Sequence, residues 1–247
     1  KHWPQFYRET LVFHQNSFEQ PIGFPVSDWK ECAFPPRTAM SGKWCLVEIL
    51  DTEKHAEELF AAYVKKRNDQ DWTYLPYGPF DRFENYLKWM KNACSSKDPL
   101  FHVIKDAITQ KALGVASYLR IEPILGVVEV GHIHFSPVLQ KTPHATEAMF
   151  LMMIRVFDEL GYRRYEWKCD ALNTRSIKAA ERLGFKFEGI FRQATMYKNR
   201  NRDTTWFSII DKDWPQLKKS FQLWLNPENF DQDGQQKLSL TEIRNNH

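Results

Sequence analysis

NTRSIKAAERLGF, residues 173–185, places an Asn-x-x-Ser turn, an Ala-rich run and a Leu-Gly-Phe stop in one short stretch. Asn173 suits a helix N-cap and Ser176 falls in the first helical turn. Ile177, Ala180, Glu181 and Leu183 continue a helical register, and Gly184 stands where a left-handed C-cap needs a residue without Cβ. A helix starting here offers unpaired backbone N–H groups beside two small polar side chains. Alone, the stretch is a generic strand-to-helix turn, and its surroundings decide what it serves.

Immediately upstream, residues 164–169 read as a strand and residues 145–160 as a helix that Gly161 ends. Earlier, residues 101–104, 113–121 and 127–135 alternate as three strands of a meander, with a turn over 106–111. Residues 44–49 alternate as a strand. Residues 52–67 form a helical pattern with Ala56, Leu59, Phe60 and Tyr63 on one face, and residues 82–92 a second. WTYLPYGPF, residues 72–80, joins those two helices as a Pro/Gly/aromatic loop. Downstream, residues 185–192 and 204–210 read as strands. Two helices, three or four strands, then alternating α and β make a mixed α/β layer, not a doubly wound nucleotide fold. The expected organisation is an aromatic, Pro-rich N-terminal arm over 1–43 wrapped on the domain, a domain over 44–214, and a helix with a polar tail over 215–247.

The chain has 247 residues, 43% of them apolar and 15% aromatic, enough for a full core. Its 34 basic and 31 acidic residues leave a net charge of +3, so no global basic field favours nucleic acid. The local basic run KNRNR, residues 198–202, reads as a solvated turn between two strands rather than an RNA patch. Cys32, Cys45, Cys94 and Cys169 lack metal-ligand spacing, and no apolar run reaches the length of a membrane span. A reduced, cytoplasmic protein is expected, as a monomer or homodimer. The chain starts at Lys1 rather than Met, which implies an initiating segment before it.

SPVLQKTPHATEA, residues 136–148, joins the third meander strand to the long helix. Pro137 interrupts ladder pairing at the strand end, and the helix start that follows offers its N–H groups to an anion. The two suit an extended amide-bearing ligand ending in a pyrophosphate. Here the chain resembles the GNAT superfamily of acetyl-CoA-dependent N-acetyltransferases, whose phosphate loop reads Arg/Gln-x-x-Gly-x-Gly/Ala. Gln140 and Ala145 match its first and last positions, and Pro143 replaces the middle glycine, removing one N–H and fixing φ. The spacing to Asn173, Ser176 and the LGF stop, the 72–80 loop, and Glu188-Gly189 after that stop resemble the branch that acetylates the N-terminal amines of ribosomal proteins. The resemblance spans roughly residues 44–214. It implies a central, mostly antiparallel sheet flanked by helices, and direct acetyl transfer from acetyl-CoA to a primary amine of a peptide N-terminus or an aminoacyl-type small molecule. A catalytically silent acyl-CoA-binding module is the alternative, and RNA binding through KNRNR a third.

Such a transfer needs a base for the amine, donors for the oxyanion and an acid for the leaving thiolate. Glu129 shares a strand face with Val127, Gly131, Ile133 and Phe135, so it is read as a carboxylate on an apolar stripe whose desolvation raises its pKa towards a useful base; the plainer alternative is a bond to neighbouring backbone. It lies eleven residues before Gln140, an offset the resemblance associates with the catalytic glutamate. By the same resemblance, acetyl-CoA runs along Ser136, Pro137, Val138, Leu139, Gln140, Lys141, Thr142, His144, Ala145 and Thr146, with N–H groups near 136–139 polarising the thioester. Asn173 would bond the pantetheine arm and Ser176 would protonate the thiolate, with Tyr197 as the competing acid. The acceptor pocket is expected among Trp72, Tyr74, Tyr77, Arg192 and Asp203, unless the 72–80 loop is simply a hydrophobic lid on the second helix. His132 and His134 share a strand face but have no further ligand at metal spacing, so they read as satisfied histidines. The tail places Asn229, Asp231 and Asp233 as a calcium loop would, but Gln236 and Leu240 occupy positions that exclude one.

Overall fold

The computed structural model describes residues 13–246. They divide into two compact units, residues 1–31 and 32–247, of which residues 1–12 and His247 lie outside the described residues, together with that part of the expected arm. The first unit is a hairpin of β1 (Phe13–Gln15) and β2 (Pro21–Gly23), its turn held by Asn16 Oδ1, which accepts the Phe18 and Gln20 amides at 2.9 and 3.0 Å.

The second unit is built on an eight-stranded sheet of β3 (Met40–Ser41), β4 (Cys45–Ile49), β5 (Leu100–Asp106), β6 (Ala112–Glu122), β7 (Val127–Phe135), β8 (Arg164–Asp170), β9 (Lys186–Tyr197) and β10 (Arg200–Ile210), in the order 3-4-5-6-7-8-10-9. Every pairing is antiparallel except β7 with β8. This is the mixed, mostly antiparallel sheet the residue pattern implies. The unit begins at Cys32, and residues 32–41 are tied to it: the Cys32 amide donates to Pro123 O at 3.1 Å, and Arg155 donates to the Thr38 and Ala39 carbonyls at 3.3 Å each.

Helices α1 (Thr52–Val64) and α2 (Phe83–Ala93) cover one face of the sheet, where Leu59, Tyr63, Tyr86 and Met90 bury against Phe101, Val103 and Val115. On the other face lies α3 (Pro143–Ile154), continued by a π-helical stretch Arg155–Glu159. Its run of Met149, Phe150, Met152 and Met153 is buried all round, as a helix enclosed between two layers must be. The outer layer comes from α5 (Trp214–Trp224) and α6 (Leu240–Asn245): Phe150 stacks on Phe221 with centroids 5.1 Å apart, and Phe157 on Trp214 at 5.1 Å. The segment after 214 therefore completes the same core. Helix α4 (Thr174–Arg182) packs beside β8 with Ala180 buried, and Gly184, at φ 94°, turns the chain into β9.

Among the described residues no cysteine forms a disulfide, and no helix is long and apolar enough to cross a membrane.

Candidate active site

The parallel pair decides where the site lies. β7 and β8 pair from Val127 opposite Arg164 to Val130 opposite Trp167. Beyond that point β7 runs on to Phe135 and β8 to Asp170 with no pairing between them among the described residues. The strands splay, and the β8 edge of residues 131–135 is left open. Two helix starts flank the opening, those of α3 after β7 and α4 after β8.

At the α3 start, Thr142 is the N-cap, its Oγ1 accepting from the Ala145 amide, and Pro143 occupies the first helical position. A proline costs nothing there, because that N–H has no intrahelical partner in any helix. The departure from the phosphate-loop pattern is thus also a good helix start. The amides of Val138, Lys141, Thr142 and His144 have no hydrogen-bond partner among the described residues. Ser136 and Leu139 correct the expected set of oxyanion donors. Ser136 N donates to Leu113 O at 3.0 Å and Leu139 N to Ser136 O at 2.9 Å, and Pro137 has none to give, so only Val138 offers an amide in 136–139. Side chains in the loop are also committed. Gln140 Nε2 donates to Asp71 Oδ2 and to Phe135 O, each at 2.9 Å; His144 Nε2 lies 3.0 Å from Asp106 Oδ2; Thr146 Oγ1 is buried and accepts from Arg182 at 3.0 Å.

At the α4 start the expectation from residues 173–185 holds in detail. Asn173 Oδ1 accepts from the Ser176 amide at 3.1 Å, and Ser176 Oγ accepts from Trp167 Nε1 at 3.0 Å. The Ser176 hydroxyl also meets the Cys169 thiol.

Glu129 is buried as expected, but its surroundings are not apolar, which corrects the desolvated-base reading. Its Oε2 meets Arg120 and, at 3.0 Å, Lys168 Nζ, which also lies 2.7 Å from Glu166. The carboxylate is thus shared between two cations rather than set among apolar groups. The apolar stripe is broken because Lys168 on β8 and Arg120 on β6 reach the same face, which one strand's alternation cannot reveal.

Tyr197 donates to Asp170 Oδ2 at 2.7 Å, and burial together with that carboxylate pushes its phenol up to about 12. Its proton is therefore committed to Asp170.

The 72–80 loop is mainly a lid. Trp72 is buried against Tyr63, Phe80 and His134, and Gly78, at φ 64°, lies so close to its ring that a Cβ would sit 2.4 Å from it. The loop nevertheless closes one side of the opening: Tyr74 donates to Leu172 O at 3.0 Å, and Asp71 joins Gln140 to Arg175 at 2.9 and 3.1 Å. From the opposite side comes the tip of the β9–β10 hairpin, where Lys198 and Asn199 form a two-residue turn at φ 48° and 58°. KNRNR is therefore a turn, and its cations hold the lid: Lys198 donates to Trp72 O at 2.8 Å and Arg200 to Thr73 O at 2.7 Å. Asp203 is spent within the hairpin, accepting from the Gln193 amide at 2.7 Å where Gln193 adopts φ 52°, and Arg192 is exposed on β9. Asp203 is therefore already committed within the hairpin.

His132 and His134 both sit in the aromatic lid. His134 is buried, with Nδ1 unpartnered, and burial lowers its ionisation to about 3, so it is not the fully satisfied histidine expected. No group of three or more His, Cys, Asp or Glu is placed to hold a metal among the described residues. In the tail, Asp231 Oδ1 accepts the Asp233 and Gln235 amides, and Asn229 bonds Leu238 and Trp224.

Residues 45–186 match the family model described as an acetyltransferase (GNAT) domain. The chain belongs to the GNAT acetyltransferase family. It is similar to a GCN5-related N-acetyltransferase from Brucella melitensis, 45% identical over 89% of this chain and 100% of that one, with a TM-score of 0.87. It is also similar to a GNAT-family protein from Chromobacterium violaceum ATCC 12472, 38% identical over 79% and 98%, TM-score 0.74. At 18% identity, over 68% and 93% with a TM-score of 0.59, it shares its fold with the microcin C7 self-immunity acetyltransferase MccE, whose structure holds acetyl-CoA and AMP. No curated protein matches the chain. This GNAT protein is thus an acyltransferase, and acetyl-CoA is the co-substrate its family uses.

Proposed function

We propose that this GNAT enzyme acetylates a primary amine by direct attack on acetyl-CoA in a ternary complex, the acceptor being a protein or peptide N-terminus, as in the ribosomal-protein branch, or an aminoacyl-type small molecule. The observation that carries this is the splay of β7 from β8, open between two helix starts and roofed by the 72–80 loop and the hairpin tip. The pantetheine amides would pair along the open edge of residues 131–135, and the pyrophosphate would meet the Lys141, Thr142 and His144 amides at the α3 start. Val138 N–H would polarise the thioester carbonyl. Glu129, whose Oε1 makes no bond among the described residues, would attract the acceptor's ammonium. Ser176 Oγ–H would protonate the thiolate. The reaction class is tested by incubating the protein with labelled acetyl-CoA and a panel of amines, peptides and cell extract, and weighing the products. Label appearing only in acetate, and in no amine, would overturn the reading.

The donor site has its own test. Lys141 is exposed beside the free amides, so Lys141→Glu sets a negative charge against the pyrophosphate without disturbing the core. Acetyl-CoA should bind about 10-fold more weakly by calorimetry, equivalent to about 1.4 kcal/mol, and an unchanged dissociation constant would move the phosphate site elsewhere. Thr146 is unsuitable for this purpose because it is buried against Arg182.

A further inference from the structure

The register of β6 on β7 slips between the pairs Val115 opposite His134 and Ser117 opposite Gly131, so β7 bulges there. His132 occupies the bulge with φ 50°. A left-handed backbone at a histidine is strained, and bulges commonly re-aim one side chain next to an active site. Here the re-aimed ring lies two residues past the last β7–β8 pair, at the mouth of the splay. It stacks on Tyr77 with centroids 5.7 Å apart and planes 16° apart, and Phe101 flanks it at 5.1 Å. Nδ1 is 3.1 Å from the Tyr77 hydroxyl, which anchors the ring on that side. Nε2 has no hydrogen-bond partner among the described residues, in a half-buried side chain. One nitrogen is held and the other is available.

We propose that His132 takes the proton from the acceptor amine, with Nδ1–H donating to the Tyr77 oxygen so that the Nε2 lone pair faces the substrate. The assignment rests on the acceptor site proposed above. The amine nitrogen bonds to the thioester carbon, its proton passes to Nε2, the C–S bond breaks, and the thiolate takes a proton at the α4 start. The imidazolium then releases its proton to solvent. Burial first, then the charges of Arg120 on β6 and Arg202 on β10, lower its ionisation to about 4, with Asp98 opposing them. The ring is therefore neutral at physiological pH, with its Nε2 lone pair unprotonated, and its cation is short-lived. Glu129, three residues earlier, has two cations to neutralise instead.

His132→Gly suits the left-handed backbone and opens a space the size of an imidazole ring, and His132→Asn keeps that conformation accessible with a polar side chain. Both should retain the parent circular dichroism and acetyl-CoA affinity while kcat/KM for the amine falls at least about 10²-fold. Added imidazole should restore turnover to His132→Gly, more so as pH raises its neutral fraction. Near-parent turnover in both variants would overturn the assignment, as would a loss that imidazole leaves unrelieved, since that is the behaviour of a packing residue. Absence of amine acetylation by the parent protein would overturn the acceptor reading, and this assignment with it.

Discussion

Glu147→Ala should cost about 3 kcal/mol of stability, on the order of 1 kcal/mol for each of the buried or part-buried amides it orphans. The carboxylate is buried on the inner face of α3, one turn after the proposed phosphate loop, and it closes the β3–β4 turn: Oε1 accepts from Lys43 N at 2.8 Å, and Oε2 from Trp44 N at 2.7 Å and Cys45 N at 2.8 Å. Truncation removes the acceptor and leaves three donors facing a void. Gly42 is part of the same device, since a Cβ there would lie 2.3 Å from the carboxylate carbon. The check is urea denaturation, in which the midpoint should fall while the slope stays near that of the parent protein. A loss under about 1 kcal/mol would mean that water replaces the carboxylate, and the turn would then be held by strand pairing alone.

Much of this fold is legible in local pattern, and the reasons are physical. Apolar strand runs bounded by turn residues mark the meander in residues 101–135, although its first two strands are buried on both faces, and the caps at Asn173 and Gly184 announce themselves because few residue types satisfy a helix end. Glu147 is not legible: an acidic residue inside an apolar helix declares that something partners it, but its partners are backbone amides about a hundred positions away. Cross-strand placement hides the ionic surroundings of Glu129, which need Arg120 and Lys168 from two neighbouring strands. Strict alternation puts His132 on the face of His134 with an ordinary strand backbone, which suggests only a metal pair or a satisfied histidine. The bulge alters that geometry, and no residue type in GHIHF signals it. Asp71 lies in a loop whose aromatics dominate its reading, although its carboxylate links Gln140 to Arg175 across the opening.

Ser176→Ala should lower kcat on the order of 10²-fold while raising the acetyl-CoA KM far less, because proton donation to the thiolate matters mainly in the transition state. Three features support the hydroxyl as the donor. It stands in the first turn of α4, where the helix's positive end stabilises a developing thiolate. Its oxygen accepts the Trp167 indole N–H at 3.0 Å, which polarises the O–H bond. Its amide is capped by Asn173, so the turn is rigid without the hydroxyl. The alanine variant also orphans the Trp167 N–H, at a cost of about 1–3 kcal/mol, and assays should stay well below its lowered melting temperature. Tyr197→Phe is the comparison. The phenol donates its hydrogen to Asp170, so its removal should change kcat little beyond loosening the hairpin tip. If Tyr197→Phe abolished turnover while Ser176→Ala left it intact, the acid would be the phenol after all, and the hydroxyl would be reduced to a helix-start residue that holds an indole in place.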